Sequence, residues 1–326
     1  MVDVSVVVCT HNPRRDYLTR VLRALDEQSL PKERWELLLV DSGSGTPVAD
    51  DFDLASHPRG RHVRVEAPGL MAARLRGIAE STGELLVFVD DDNILAPDYL
   101  EQAQALQERH DYLGVFGSGS LDPEFEVDPP GYLRPNLRML SLRSVPAPLW
   151  SNNPEDYLSM PWGAGLCVRR SVADLFVELV DRLDITTLLG RNGQQLYSGD
   201  DDLFSWASAS ARRGFGVFPS LQVTHLIPAS RLGTAYMLTL LHDHRFSRAI
   251  RLFRMVGTAP RPLAWHHFTH LFMHGVRKGP FAVRCRWAEM RGEAKAAQFI
   301  RRERLRPIGV EIAPPRQEPL LGEEPR

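Results

Sequence analysis

The first 120 residues alternate between apolar runs and amphipathic stretches, and this alternation constrains the fold more than any other feature. VSVVVCT (4–10), WELLLVD (35–41) and ELLVFVD (84–90) are predominantly apolar runs, typical of strands that are buried on both faces. Apolar residues recur at helical spacing over 18–25 and within MAARLRGIAEST (71–82). This order predicts a mostly parallel sheet with crossover helices, and therefore an α/β fold.

Further elements continue the pattern before it becomes irregular. Short strands are predicted at 62–67 and 115–121, with a helix between them that Pro97 opens and that runs to about residue 109. Residues 122–162 carry eight prolines, which predicts a long irregular loop. Long loops in compact domains are often functional, so this segment is a candidate for a binding role.

The second half of the chain returns to regular structure. A helix is predicted at 171–183, another directly after Asp200–Asp202, and one or two strands at 215–225. From residue 234 onward, apolar and basic residues mix at helical spacing. The tail from Pro307 is rich in proline and glutamate and is predicted to be disordered.

The net charge of −2 hides an asymmetry between the body and the C-terminal segment. Residues 245–306 hold 15 Lys and Arg against 3 acidic residues, and the rest of the chain holds 24 against 38. Such helices can make a peripheral contact with an anionic membrane, but a helical cap packed on the main domain explains them as well. No recognised module accompanies the charge, so no nucleic acid is expected as a partner. The arginines at helical spacing are Arg245, Arg248, Arg251 and Arg254.

The cysteines and the N-terminus indicate a reducing compartment. Cys9, Cys167 and Cys285 are odd in number and scattered, which is typical of buried thiols rather than a disulfide framework. The N-terminus lacks the basic region of a signal peptide, and no apolar run approaches the roughly 18–20 residues of a membrane helix. The expected location is the cytoplasm, with or without peripheral contact with the inner face of the membrane.

LLVFVDDDN (85–93) places Asp90, Asp91 and Asp92 at the carboxyl end of a predicted buried strand. Ligands of open α/β sheets bind outside these strand ends. Adjacent carboxylates raise each other's pKa, so a metal, an arginine or water must offset their charge. Carboxylates suit Mg²⁺ or Mn²⁺, which often bridge them to substrate phosphates. We therefore expect a divalent cation here, although a polar turn that caps the next helix would also explain the run.

Six motifs, taken in order, resemble a family 2 glycosyltransferase of GT-A fold over about residues 3–231. They are VSVVVCTHNP, LLLVDSGS, GLMAARLRGI, LLVFVDDDN, PWGAGLCVRR and LGRNGQQLYSGDDDL. The resemblance implies a nucleotide-sugar-binding half at 1–120 and an acceptor and catalytic half at 121–231. A helical basic extension (232–306) and a disordered tail (307–326) would follow.

The resemblance also implies which residues bind the sugar donor. Family members often carry an aromatic residue where His11 stands, and a second acidic or amide residue where Ser42 follows Asp41. A strand-to-helix turn capped by Asn12, and a surface position for Arg74, are the alternatives. The implied metal ligands are Asp92, Asp90 and His225, with Mn²⁺ or Mg²⁺ as cofactor. The implied donor-binding residues are Thr10, His11, Asn12, Asp41, Arg74, Asp90 and Asp91.

The acceptor and the catalytic base are implied for the second half. PWGAG resembles the family segment beside the two sugars, and it makes Trp162, Gly163 and Gly165 the acceptor candidates. In SGDDDL the family's catalytic aspartate matches either Asp200 or Asp201, and we favour Asp200 as the base that takes the acceptor proton. The alternative is simple capping of a helix N-terminus by acidic residues.

The expected activity is that of an inverting, metal-dependent and hexosyltransferase-like enzyme. It would move a sugar from a nucleoside-diphosphate sugar to a hydroxyl of a sugar or lipid-linked acceptor, in polysaccharide or glycolipid assembly. Two alternatives remain open. One is a sugar-phosphate nucleotidyltransferase of related fold, although CTHNPRR is not glycine-rich as such loops usually are. The other is an inactive GT-A-like binding module, against which the two intact aspartate runs argue.

Overall fold

The computed structural model describes residues 2–185, 188, 191, 195–263 and 279–310. Its strands form one mixed sheet in the order β3-β2-β1-β4-β9-β6-β10-β5, with β7 paired to β6 and β8 paired to β10. The strands are β1 Val4–Thr10, β2 Trp35–Ser42, β3 Gly60–Val65, β4 Leu85–Asp90, β5 Asn93–Leu95, β6 Leu113–Phe125, β7 Arg143–Ser144, β8 Leu149–Ser151, β9 Leu166–Arg169 and β10 Gly214–Ile227.

Helices cover both faces of the sheet. They are α1 Arg15–Asp26, α2 Leu70–Glu80, α3 Tyr99–Arg109, α4 Arg170–Leu183, α5 Asp200–Ser210, α6 Thr234–Val256 and α7 Pro280–Arg302. Alternate residues of the buried strands point to opposite faces, which gives two apolar cores. α1 and α3 pack on one of these cores, and α2, α4 and α5 pack on the other. α6 and α7 contribute Phe246, Ile250 and Ile300 to this second core.

The parallel part of the sheet aligns the ends of three strands. β1 lies between β2 and β4 and is parallel to both. Thr10 is opposite Asp41 on one side, and Cys9 is opposite Asp90 on the other. Because all three strands end at the same edge, their polar C-terminal residues lie side by side there, as the sequence predicted.

The predicted α/β fold is confirmed, and the differences are local. The loop prediction for 122–162 is wrong in part, because β6 extends to Phe125, a 3₁₀ helix spans Gly131–Leu140, and β7 and β8 follow. β5 and β9 were not predicted, since three or four residues are too few to show a periodic pattern. β9 runs antiparallel between β4 and β6.

The basic C-terminal segment is used partly inside the fold. On α6, Arg251 is buried against Asp202, and Arg254 donates to the carbonyl oxygens of Arg182 and Leu183. Among the described residues, no helix has the length and apolarity needed to cross a membrane. Residues 264–278 of the predicted helical extension, and the tail beyond residue 310, lie outside the described residues. Peripheral membrane contact therefore stays a prediction.

Candidate active site

A cavity of about 330 Å³ opens where the strand ends of β1 and β4 meet the N-terminus of α5. Most of the predicted site residues line it, although they come from distant parts of the sequence. Four of them do not: Asn12, Asp41, Trp162 and Gly165. Those that line the cavity are Thr10, His11, Arg74, Asp90, Asp91, Asp92, Gly163, Asp200, Asp201 and His225.

Asp92 has the densest set of partners in the first aspartate run, residues 90–92. One carboxylate oxygen lies 2.8 Å from the Arg231 guanidinium and 3.6 Å from Nε2 of His225. The other accepts a hydrogen bond from the Asn93 amide at 2.9 Å. Burial acts to raise the pKa of Asp92, but Arg231 and His225 outweigh burial and bring it below its ordinary value. Asp92 is therefore held as a carboxylate.

The pairing of β5 with β10 brings His225 to Asp92. His225 is opposite Asn93 in this antiparallel pair, and the backbone N–H of Leu226 donates to the Asp92 carbonyl oxygen at 2.8 Å. A three-residue strand that directly follows the aspartates thus fixes the position of a residue from β10. Arg231 follows in the 3₁₀ turn Ala229–Leu232, and its guanidinium reaches back to Asp92.

Asp90 and Asp91 are less strongly compensated. The Thr10 hydroxyl donates to Asp91, but burial and the neighbouring Asp92 raise the pKa of Asp91 to about 7. Burial also raises the pKa of Asp90, and Arg74, at 3.8 Å, opposes that effect. In the protein alone, arginines supply the positive charge at both ends of the run.

Arg74 joins the two aspartate runs. Its side chain on α2 is almost fully buried, at 1% exposure, so the alternative of a surface arginine is wrong. One terminal nitrogen pairs with Asp200 and the other lies 3.8 Å from Asp90. A Cβ atom at Gly163 would overlap the guanidinium, so glycine at this position leaves the space that Arg74 fills.

The second aspartate run, residues 200–202, forms the first turn of α5. Asp200 is 4% exposed and pairs with Arg74, whereas Asp202 pairs with the buried Arg251 of α6. Asp201 lies between them and accepts hydrogen bonds from two backbone N–H groups, of Gly163 at 3.2 Å and of Asp202 at 3.0 Å.

The carboxylates of this run are buried, and burial raises the pKa of both Asp200 and Asp201. Arg74 opposes the shift in both residues, and the Asp202 carboxylate adds to it at Asp201. The N-terminus of a helix favours negative charge, which helps to keep these groups ionised.

Asn12 and Asp41 hold the loop that follows β2. Asp41 accepts hydrogen bonds from the backbone of Ser44 and Val48 and pairs with Arg64 at 2.7 Å. Asn12 accepts a hydrogen bond from the Gly45 N–H at 2.9 Å. Both side chains are thus engaged in hydrogen bonds within the loop, and their roles in donor binding stay predictions.

His11 is exposed and lines the cavity, as a donor-binding role requires. Its Nδ1 donates to the Ser42 carbonyl oxygen at 2.6 Å, which fixes the tautomer with the proton on Nδ1. Nε2 is then left as an acceptor, and the Asn12 amide lies 3.0 Å from it. The flat ring stands at the cavity wall beside Thr10.

The acceptor candidates fall into two groups. Gly163 lines the cavity. Trp162 has the Arg143 guanidinium 3.8 Å above its ring, so one face is covered, and its other contacts are with the core beneath α1 and α3. At Gly165 the backbone is left-handed, and a Cβ atom would overlap the Tyr99 hydroxyl. Acceptor roles for Trp162, Gly163 and Gly165 stay predictions.

A divalent cation is chemically compatible with one part of the cavity. Among the described residues, no group of three or more His, Cys, Asp or Glu side chains is placed to hold a metal ion. Asp92 and Nε2 of His225 are adjacent, however, and a cation between them would replace the contact that Arg231 makes with this nitrogen at 3.2 Å. Two such ligands fit Mg²⁺ or Mn²⁺, which commonly take their other ligands from substrate phosphates and water.

Sequence reasoning did not place Arg251 at this site. It sits in a basic helix, where an arginine is most simply read as exposed. A subtler signal was available, because Asp243, Ser247 and Arg251 are polar residues at intervals of four and therefore share one face of α6. Tyr197 and Ser198 also line the cavity and had no distinguishing pattern.

The fold and cavity together define a class: an α/β sheet with carboxylates at its strand ends, of GT-A-like architecture. The sequence comparisons agree. Residues 5–138 match the family model described as Glycosyl transferase family 2. Over this part of the chain, the resemblance seen in the sequence motifs is confirmed.

Curated relatives match over about a third of their own length or less. Glycosyltransferase AglE of Haloferax volcanii is 34% identical over 102 residues, which cover 30% of this chain and 33% of AglE. Putative glycosyltransferase EpsH of Bacillus subtilis is 30% identical over 102 residues, covering 30% of this chain and 28% of EpsH.

A solved structure matches nearly the whole chain. It is residues 1–349 of TarS from Staphylococcus aureus, in complex with UDP-GlcNAc. The superposition covers 93% of this chain and 92% of that one, with a TM-score of 0.50 and 15% sequence identity. At this level of identity the likeness establishes the fold alone.

Proposed function

We propose that the chain is an inverting glycosyltransferase that moves a sugar from a nucleoside-diphosphate sugar to an acceptor hydroxyl. One observation carries the proposal: aspartates of both runs line one cavity, and the buried Arg74 pairs with a carboxylate of each run. Transfer with inversion needs a group that stabilises the leaving diphosphate and a base on the acceptor side. The first run and the second run have the chemistry for these two tasks.

A uridine-type donor is the first candidate. The TarS structure contains UDP-GlcNAc, and AglE and EpsH are named as glycosyltransferases. His11 and Ser42, at the ends of β1 and β2, would face the nucleobase, while Arg231 would lie on the side of the diphosphate. The acceptor is proposed only as a hydroxyl of a sugar or lipid-linked molecule.

Asp201 is proposed as the base, in place of our initial preference for Asp200. Asp200 is engaged by Arg74, which stabilises its charged form and weakens it as a proton acceptor. Asp202 is engaged by Arg251 in the same way. Asp201 receives only backbone N–H groups among its hydrogen-bond partners, lines the cavity, and has a raised pKa. A stronger base that faces the cavity suits proton abstraction.

Asp92 and His225 are the residues proposed to hold Mn²⁺ or Mg²⁺. A bound cation would neutralise charge on the leaving diphosphate. Arg231 lies against the same Asp92 oxygen, so this chain already supplies one positive charge of its own there.

The test combines binding and turnover. UDP-, GDP- and dTDP-sugars would be titrated calorimetrically, with Mn²⁺ or with a chelator, and release of nucleoside diphosphate would be followed. We expect binding and slow release with one nucleotide class. A chain that binds none of them contradicts the proposal. Turnover of a sugar phosphate plus a nucleoside triphosphate to pyrophosphate would indicate a nucleotidyltransferase instead.

A further inference from the structure

Helix α6 is bound to the segment that carries the second aspartate run. Asp243, Ser247 and Arg251 recur at intervals of four, so they form one stripe along the helix. All three are buried. The stripe faces residues 196–202, the segment that leads into α5.

The first two positions of the stripe hold the backbone of this segment. A carboxylate oxygen of Asp243 accepts a hydrogen bond from the Leu196 N–H at 2.9 Å. The Ser247 hydroxyl accepts one from the Ser198 N–H at 3.2 Å. His244, beside the stripe, lies 2.9 Å from the Ser198 hydroxyl. The segment therefore takes its path from α6 rather than from local structure.

Arg251, the last position, is fitted closely to the turn that opens α5. It is 1% exposed, and its guanidinium pairs with Asp202. The same guanidinium lies against Gly199, where a Cβ atom would overlap it. Gly199 has a φ of +107°, a conformation that favours glycine. Charge pairing and close packing thus fix the turn at both Gly199 and Asp202.

These contacts determine where Asp201 sits. Arg74 holds the residue before it, and Arg251 holds the residue after it. Arg251 is absent from the cavity wall, so it has no direct route to the donor or the acceptor. Any effect of this side chain on catalysis must pass through the turn and the charge of its carboxylates, and the Arg251 charge does act to lower the pKa of Asp201.

We propose that Arg251 is a positioning residue for the base Asp201, and that α6 is thereby an integral part of the catalytic site. The inference rests on the proposed function and adds to it a role for a helix outside both halves of the GT-A domain. Displacing a reacting group by about 1 Å can lower a rate by about 100-fold.

The experiment compares Arg251→Met with Arg254→Met, the matched control one turn further along α6. Arg254 is half-buried and donates to carbonyl oxygens at the end of α4, away from the cavity. For Arg251→Met we expect kcat to fall by about 100-fold while the donor Kd changes by less than about twofold. Arg251→Lys should recover part of this loss, because a cation is retained. Arg254→Met should lower the melting temperature but keep kcat within about twofold.

Gly199→Ala provides a second route if Arg251→Met fails to fold. The added Cβ would overlap the Arg251 guanidinium and displace it, so the same selective loss of kcat is expected. If the wild type turns over and either Arg251→Met or Gly199→Ala folds with near-normal kcat, the positioning role is overturned and the proposed function stands. Equal loss of kcat in Arg251→Met and Arg254→Met overturns it as well. A wild-type chain that transfers no sugar overturns both proposals.

Discussion

Each of the two runs consists of three consecutive aspartates, but the secondary structure around them differs. Asp90 is the last residue of β4 and Asp91 and Asp92 follow it, where successive side chains diverge, so each carboxylate meets a different element. Asp200–Asp202 begin a helix, where the backbone N–H groups and the helix dipole favour negative charge.

The arginines that pair with the two runs also have different effects. In the first run, Arg231 leaves Asp92 ionised at the proposed metal position. In the second run, Arg74 and Arg251 engage the outer two carboxylates, and the middle one has no ion pair within the described part of the chain. The comparison teaches that the partners, rather than the run itself, assign chemistry to each aspartate.

The largest expected effect is at the centre of the second run. Asp201→Asn should lower kcat by about 10³-fold, because a carboxamide cannot take the proton from the acceptor hydroxyl. Donor binding should persist. Steady-state kinetics with calorimetric donor binding would measure both. Near-normal turnover in this variant, with loss in Asp200→Asn, would return the base to Asp200.

The next effect belongs to the first run and should appear in binding. Asp92→Ala removes the proposed ligand of the cation and leaves Arg231 without its partner. We expect the donor Kd in the presence of Mn²⁺ to weaken by about 100-fold, to the value seen with a chelator. A metal titration with the nucleoside diphosphate alone would separate this from any acceptor effect. An unchanged Kd would show that Asp92 is not a ligand of the cation.

A third effect concerns stability and distinguishes Asp200 from its neighbour. Asp200→Asn leaves the buried Arg74 without its closest carboxylate, which should lower the free energy of unfolding by about 3 kcal/mol. Denaturant unfolding would measure it. Asp16→Asn, which removes an exposed partner of Arg14, is the control and should change little. Equal stability of the two variants would show that the buried pair is not a structural requirement.

The smallest effect is a pH dependence of the contact between α6 and the second run. Burial, with the nearby arginines, lowers the pKa of His244 to about 4 from the ordinary 6.5. The unfolded chain therefore binds a proton more readily, and stability is lost as pH falls from 6.5 towards 4. The charged groups around His244 are Arg245, Arg248 and Arg251 on α6 and Glu289 on α7.

The measurement is urea unfolding of the wild type and His244→Gln at pH 7 and pH 5. The wild type should lose about 1 kcal/mol more than the variant. The full pKa shift would give about 2 kcal/mol between these two pH values, and the expected value is lower because the side chain is only half-buried. A parallel pH response in the two proteins would mean that His244 does not report on this contact.

Local sequence patterns predicted much of the framework. The runs at 4–10, 35–41 and 84–90 became β1, β2 and β4 with nearly the predicted bounds. Their apolar content is a local property that marks them as buried parallel strands. Because parallel strands end at the same edge of a sheet, the polar residues that follow them lie together there. The segment at 215–225 is the instructive intermediate case, because it forms one strand with a register shift between Phe218 and Gln222.

The sequence by itself determined the α/β sheet, the strand ends and the two aspartate runs, because periodicity and turn chemistry act between neighbours. Only the tertiary structure decided which aspartates of the second run pair with arginines. That outcome depends on Arg74, 126 residues from Asp200, and on Arg251, 49 residues from Asp202. Ion pairs over such distances leave no periodic trace in a sequence, since they form only once the sheet and α6 have brought the partners together.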